Sequence, residues 1–315
     1  MADDQHDWDL GSDLAEPASE GRSAAQTIDN MRRAAILCLR DPLRKGNVIG
    51  LPAEGEVLIT GDIHGCRENF ERVVSFAALH LNPDRYLILH EIIHGGPKDE
   101  QGGCRSFELL EEAARLKTLY PRQVHILLAN HDLAEMLGTE LTKGPQHLSQ
   151  AFSDGLQHAY GEQAIEVKEA YWEFWSNLPI AAKTQNGIFI SHSIPGRRAI
   201  ELFDFDIFDR PLVAEDYHRH SDLYELLWGR NQDLHTAEIF AEGVGAEILV
   251  MGHQPSEPGY KVPNHRQIIL YSDDRLGRCM MVPTASPVSQ AWLVRQIRWI
   301  AHLPQTPTPR RVFGE

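Results

Sequence analysis

Val57-Leu58-Ile59-Thr60-Gly61-Asp62-Ile63-His64-Gly65 reads as a buried strand running straight into a glycine-flanked acid and imidazole. The apolar spacing from Arg67 to about Leu81 predicts a helix behind it. The unit recurs twice. Tyr86–Leu89 is a strand, followed by a loop from Glu91 to Gly103 and a helix from Ser106 to about Leu119. Val124–Leu128 is a strand, followed by Asn130-His131-Asp132 and another helix. Three strand–loop–helix units in a row predict an α/β sheet covered by helices, with its site beyond the C-terminal ends of the strands.

Outward from that core, Thr27–Arg40 repeats its apolar residues at helical spacing and stops at Asp41-Pro42. Residues 145–180 read as helical, with Tyr171-Trp172-Glu173-Phe174-Trp175 as core packing. Beyond Leu178-Pro179 the pattern becomes strand-like at Gly187–Ile190, Ile248–Met251, Gln267–Tyr271, Cys279–Val282 and Leu293–Ile300. That second set predicts a second sheet, giving an α/β fold with a central two-sheet β-sandwich flanked by helices. The expected organisation is an acidic, disordered tail over 1–24, one domain over 25–303 with its motifs between 54 and 282, and a mobile Pro-rich tail over 304–315.

Composition narrows the function classes. The net charge of −15 disfavours nucleic acid as a partner. No apolar run reaches the length of a membrane span, so no membrane partner is expected. The opening residues lack a basic flank followed by an apolar stretch, so no signal peptide is expected. Cys38, Cys66, Cys104 and Cys279 form no Cys-x-x-Cys pair and read as free thiols of a cytoplasmic protein. A chain this acidic that handles a phosphorylated substrate needs local positive charge, and bound metal ions are one source.

The polar residues that follow strands are Asp62 and His64, Glu91, Asn130 with His131 and Asp132, His192 and His253. With 16 histidines in the chain, any one of them is more often structural or solvated than a ligand. The weight rests on the ordered set: Gly-Asp-x-His-Gly, a carboxylate after the second strand, Asn-His-Asp, Ser-His and Gly-His. Carboxylates, imidazoles and an amide oxygen suit a pair of divalent cations that clamp a phosphoryl group and activate a bridging water.

These segments resemble the calcineurin-like metallophosphoesterases and, more narrowly, the phosphoprotein (serine/threonine) phosphatases. The broad superfamily ends its motif with Gly-His-x-His, and the place of the second His is Pro255 here, as the narrower family also lacks it. His253-Gln254, Gly259-Tyr260 and Leu226-Leu227-Trp228 match further family segments, and the resemblance runs from about Glu54 to Val282. It implies that Asp62 and His64 hold one metal, that Asn130, His192 and His253 hold another, and that Glu91 sits at the bridging position. It implies two divalent ions (manganese, iron or zinc), a phosphorylated protein or small phosphate ester as substrate, and in-line attack by a metal-bridging hydroxide with His131 as general acid. The regulatory partner stays unknown.

The second motif departs from the family's Gly-Asp-x-Val-Asp-Arg-Gly, reading His90-Glu91-Ile92-Ile93-His94-Gly95-Gly96. Glu91 is one methylene longer than the family's bridging Asp. His94 replaces the acid that orients the general acid; it can accept a hydrogen bond from His131 but carries no negative charge. Asp132 completes the expected catalytic group. Gly95 replaces an arginine that forks onto phosphate, so other cations are needed, with Arg197, Arg210 and Arg230 as candidates and Lys98 and Arg198 nearby. Ala129 stands where the family has Gly, which is tolerable unless that backbone requires positive φ. The departures leave two alternatives open: hydrolysis of dinucleoside polyphosphates or nucleotides on the same fold, and a non-catalytic pseudophosphatase that binds phosphorylated partners.

Overall fold

The structure, a computed structural model, describes residues 23–230 and 233–307. In chain order the first half carries α1 (Ala24–Leu39), β1 (Arg44–Lys45), β2 (Val48–Gly50), β3 (Glu56–Asp62), α2 (Arg67–Ala77), β4 (Arg85–His90), α3 (Ser106–Leu119), β5 (Val124–Ile126), α4 (Asn130–Met136), a small hairpin of β6 (Thr142–Lys143) and β7 (Gln146–His147), α5 (Leu148–Tyr160) and α6 (Ala164–Ser176). The second half carries β8 (Ala181–Lys183), β9 (Ile188–Ser191), α7 (Asp222–Trp228), α8 (Leu234–Gly243), β10 (Ile248–Met251), β11 (Tyr260–Lys261), β12 (Gln267–Leu270), β13 (Arg278–Pro283), α9 (Gln290–Arg295) and β14 (Ile297–Trp299).

Two sheets face each other. One has the order β14-β13-β3-β4-β5, the other β1-β2-β8-β9-β10-β12-β11. In the first, β3, β4 and β5 run parallel, the expected result of two helical crossovers through α2 and α3. In the second, β9, β10 and β12 run parallel.

Period-2 alternation decides which side chains meet between the sheets. Val57, Ile59 and Ile88 of one sheet join Ile188, Ile190, Val250 and Ile268 of the other in an inner apolar core. The alternate residues Leu58, Leu87, Leu89, Leu249 and Met251 face outward into the core shared with the helices. Both faces are therefore apolar, which is why these strands read as continuous hydrophobic runs.

Several expectations shift. The helix expected to reach Leu81 ends at Ala77, because Ala78 takes a left-handed φ of 42°. The 145–180 stretch holds part of the hairpin and two helices separated by a 3-10 turn at Gly161–Gln163. Leu293–Arg295 is helical, capped by the Ser289 hydroxyl accepting from Trp292 N at 3.3 Å, and only Ile297–Trp299 of that expected strand is extended. The expected 1–24 tail lies outside the described residues except for Ser23, which caps α1 by accepting from Gln26 N, and Ala24, which begins the helix. Of the 304–315 tail, residues 308–315 lie outside them. Thr306, in contrast, is tied to Ser75, its N–H donating to the hydroxyl (2.9 Å) and its carbonyl accepting from it (2.7 Å). No described helix is long and apolar enough to cross a membrane.

Candidate active site

The parallel strands of both sheets end at one place. Asp62 closes β3, Glu91 follows β4, Asn130 opens α4 after β5, His192 follows β9, and His253 lies two residues past β10. The sheets touch there: Asp62 bridges to Tyr271 beyond β12, and its carbonyl accepts from Ser272 N at 3.0 Å. The loops after β3 and β4 interlock, since Ile63 N and His64 N both donate to the Glu91 carbonyl at 2.9 Å and Gly65 N donates to Ile92 O at 2.7 Å. His64, Glu91 and His94 in these loops, and His253 after β10, take φ values of 47°, 36°, 62° and 67°. Left-handed backbone at non-glycine residues costs on the order of 1–3 kcal/mol each and clusters where geometry serves function.

Three donor atoms converge on one side. His192 Nε2 lies 2.7 Å from Asn130 Oδ1 and 3.1 Å from His253 Nδ1, and His253 Nδ1 lies 3.0 Å from Asn130 Oδ1. On the other side, His64 Nε2 is 3.7 Å from Asp62 Oδ2. Ligand atoms of His64, Glu91 and His131 lie within 4.8 Å of one another. Glu91 lies between the two groups: its Oε2 is 3.8 Å from His192 Nε2 and accepts from His131 N at 3.2 Å, while Oε1 is buried without a partner. Asp62 Oδ1 accepts from His253 N at 2.8 Å.

Burial pushes the Asp62 and Glu91 carboxyls up, and for Glu91 the charges of Asp132 and Asp62 add to it. Burial pushes the imidazoles down: His192 well below its usual range with its neighbouring rings adding, and His253 to about 3 with the Arg230 charge adding. A cation held among these donors favours the deprotonated form of each, so the residues fit divalent metal ions. His90, a glycine in the family pattern, donates from Nδ1 to Thr60 O at 2.7 Å. Its Nε2 and the Nδ1 of His192 are both buried and unpartnered, with ring centroids 6.2 Å apart.

His131 and His94 meet, with Nδ1 to Nδ1 at 3.0 Å. Burial, with the charges of His64 and His94 adding, pushes His131 well below its usual range. Asp132 does not reach His131. Its Oδ2 accepts from Ala129 N at 3.0 Å and closes the start of α4, and burial pushes its carboxyl up to about 7. The contact it makes here is a capping one. Ala129 itself has φ −124°, so no glycine is required there.

The arginines separate clearly. Arg230 reaches the site, its Nε donating to His253 Nε2 at 3.1 Å. Arg197 is exposed and lies 4.0 Å from Asp233. Arg210 forks onto Asp216 at 2.6 and 2.7 Å. Gly95 has a structural reason to lack a side chain: its φ is +148°, and a Cβ there would stand 2.2 Å from His64 O. The lacing of the two loops excludes an arginine at that position. The sequence reading missed Glu135, whose carboxylate lies 3.1 Å from His94 Nε2. Its spacing of four residues after His131 on one helix was the available signal.

A family model described as calcineurin-like phosphoesterase matches residues 55–277. A probable serine/threonine-protein phosphatase of Encephalitozoon cuniculi is 25% identical over 274 residues, covering 82% of this chain and 54% of that protein. Serine/threonine-protein phosphatase T of Trypanosoma brucei brucei is 20% identical, covering 68% of this chain and 44% of its own length. The chain thus spans about half the length of these relatives. Among solved structures, a Saccharomyces cerevisiae protein serine/threonine phosphatase with similarity to human phosphatase PP5 aligns at TM-score 0.63 and 14% identity, covering 92% of both chains. The cold-active protein-tyrosine phosphatase of a psychrophilic Shewanella aligns at 0.52 and 11%, covering 77% of this chain and 78% of its own. The two structures share the two-sheet fold with this chain.

Proposed function

The chain belongs to the calcineurin-like phosphoesterase family, and on that premise we propose that it is a metal-dependent phosphomonoesterase acting on phosphoserine or phosphothreonine in proteins. The observation that carries this reading is the convergence of Asp62, His64, Glu91, Asn130, His192 and His253 from five strand ends. Asp62, His64 and Glu91 would hold one divalent cation, and Glu91, Asn130, His192 and His253 the second. Manganese, iron and zinc all suit this oxygen and imidazole set. When bound, two such ions supply an electrophilic clamp and an activated water.

This chain's own residues do the rest. His131, with Nδ1 turned to His94, keeps Nε2 for the departing oxygen and donates the proton there. Arg230 takes the place of the missing arginine of the second motif. A histidine that lends Nδ1 to a cation carries its proton on Nε2. Arg230 then loses its His253 acceptor and has its guanidinium free for a phosphoryl oxygen. The four cysteines are free thiols, which fits a reducing cytoplasm.

The test is hydrolysis of p-nitrophenyl phosphate by the purified protein with manganese titrated in, and Asp62→Asn alongside. Metal-dependent turnover that disappears in the variant supports the reading. A folded wild-type protein inactive with every divalent ion makes it a pseudophosphatase. Comparing a phosphoserine peptide with diadenosine tetraphosphate then separates a protein phosphatase from a nucleotide hydrolase.

A further inference from the structure

The carboxylate missing from the second motif reappears elsewhere in the fold. His94 is wholly buried, with both ring nitrogens engaged: Nδ1 with His131 at 3.0 Å and Nε2 with Glu135 Oε1 at 3.1 Å. The residue is held by its backbone N–H, which donates to the Ser106 hydroxyl at 3.0 Å, and the ring makes an edge contact with Phe152. Glu135 is buried too, and its second oxygen meets Lys168 Nζ of α6 at 2.9 Å. Burial works against its charge, but the His94 hydrogen bond and the Lys168 ammonium outweigh that and hold the carboxyl below its usual range. Glu135 lies one helical turn after His131 on α4, so the two share a face and His94 fits between them.

We propose that Glu135 is the positioning carboxylate of the general acid, acting through His94 in place of the acid absent from residues 90–96. The inference rests on the reading of His131 as the general acid. An ionised carboxylate only accepts hydrogen bonds, so Glu135 fixes a proton on His94 Nε2 and turns Nδ1 of that ring toward His131. In its acid form the pair of rings holds one proton on His131 Nε2, one between the two Nδ1 atoms and one on His94 Nε2, and its single positive charge faces Glu135. Donation breaks the His131 Nε2–H bond and forms the O–H bond of the departing alcohol. The two rings are left neutral, with the middle proton on His131. A histidine in the second motif is thus compatible with general-acid catalysis because the negative charge sits one ring farther out.

The experiment compares wild type, Glu135→Gln, Glu135→Asp, Lys168→Met and His131→Asn, all loaded with manganese. Each is assayed on phenyl phosphate, whose leaving group needs a proton, and on 2,4-dinitrophenyl phosphate, whose leaving group does not. Glu135→Gln is expected to lower kcat about 100-fold on phenyl phosphate with KM little changed, and only a few-fold on the dinitrophenyl ester. Glu135→Asp is expected to recover part of the loss. Equal losses on both esters would mean a merely structural role and overturn the proposal. So would leaving-group discrimination in His131→Asn that is absent from Glu135→Gln. If His131→Asn itself loses both esters equally, the general-acid reading fails first. Should Glu135→Gln not fold, Lys168→Met, which removes the outer partner and leaves the carboxylate, carries the same comparison with a smaller expected discrimination. Independently of turnover, in the zinc-loaded proteins a downfield imidazole N–H proton resonance from His94 should move upfield in Glu135→Gln. An unmoved resonance would also overturn the proposal.

Discussion

Gly252→Ala tests how tightly the two sheets meet at the site. A Cβ at this position would stand 2.3 Å from Asp62 Oδ1, and an ordinary carbon–oxygen contact requires about an ångström more. Asp62 has little room to retreat, because its carbonyl accepts from Ser272 N at 3.0 Å and its backbone bridges to Tyr271. The carboxylate must turn away, breaking the 2.8 Å hydrogen bond from His253 N. Losing a hydrogen bond to a charged group costs about 1.5–3 kcal/mol, and overpacking adds about 1–3 kcal/mol. The expected destabilisation is therefore roughly 3–5 kcal/mol, which lowers the melting temperature by on the order of 10 °C. Manganese stoichiometry should fall as well, because Asp62 leaves the donor set. Calorimetric melting and metal analysis of the dialysed protein measure both effects. Gly196→Ala is the control, since its Cβ would meet nothing within 4 Å, and its cost should stay within about 0.5 kcal/mol. A Gly252→Ala protein that melts with the wild type and keeps its metal would refute the argument.

Two further expectations concern charge. Arg230→Ala should weaken inhibition by inorganic phosphate about 10- to 100-fold, the value of one or two charge-assisted hydrogen bonds, while Arg197→Ala leaves it within about twofold; equal effects from both would remove Arg230 from the site. Asp41, buried with Lys117 Nζ at 2.7 Å and His125 Nδ1 at 3.3 Å, has its charge opposed by burial but favoured more strongly by these partners, so its carboxyl lies below its usual range. A lowered folded value means stability that is present above the unfolded value of about 4 and lost as pH falls through the folded one. Asp41→Asn should therefore cost about 3–5 kcal/mol at pH 7 and less at pH 3 in urea titrations, and a cost that does not change with pH would contradict the assignment.

Much of the site was legible because its residues sit immediately after strands whose apolar runs are unmistakable. Asp62 follows Val57–Thr60, Asn130 follows Val124–Leu128 and His253 follows Ile248–Met251. Local pattern was less informative where short elements meet distant ones. The strands Val48–Gly50 and Ala181–Lys183 are three residues each and exist through pairing with one another across more than a hundred positions. Asp132 looked catalytic beside His131, yet its side chain turns back to Ala129 N, a choice made by the geometry of a helix start.

The strand-to-loop-to-helix rhythm, the family and the chemical kinds of donor at the strand ends are all written in local stretches of chain, because they depend on residues adjacent to one another. Tertiary structure decided which charges serve them. Arg230 rather than Arg197 or Arg210 reaches the imidazoles, Gly95 is bare because the His64 carbonyl occupies its side-chain space, and Glu135 with Lys168 supplies the charge that His94 lacks. These partners come from separate loops and helices. Only the packing of two sheets and their covering helices sets the distance between them, and a charge acts on another group through that distance rather than through the number of residues between them.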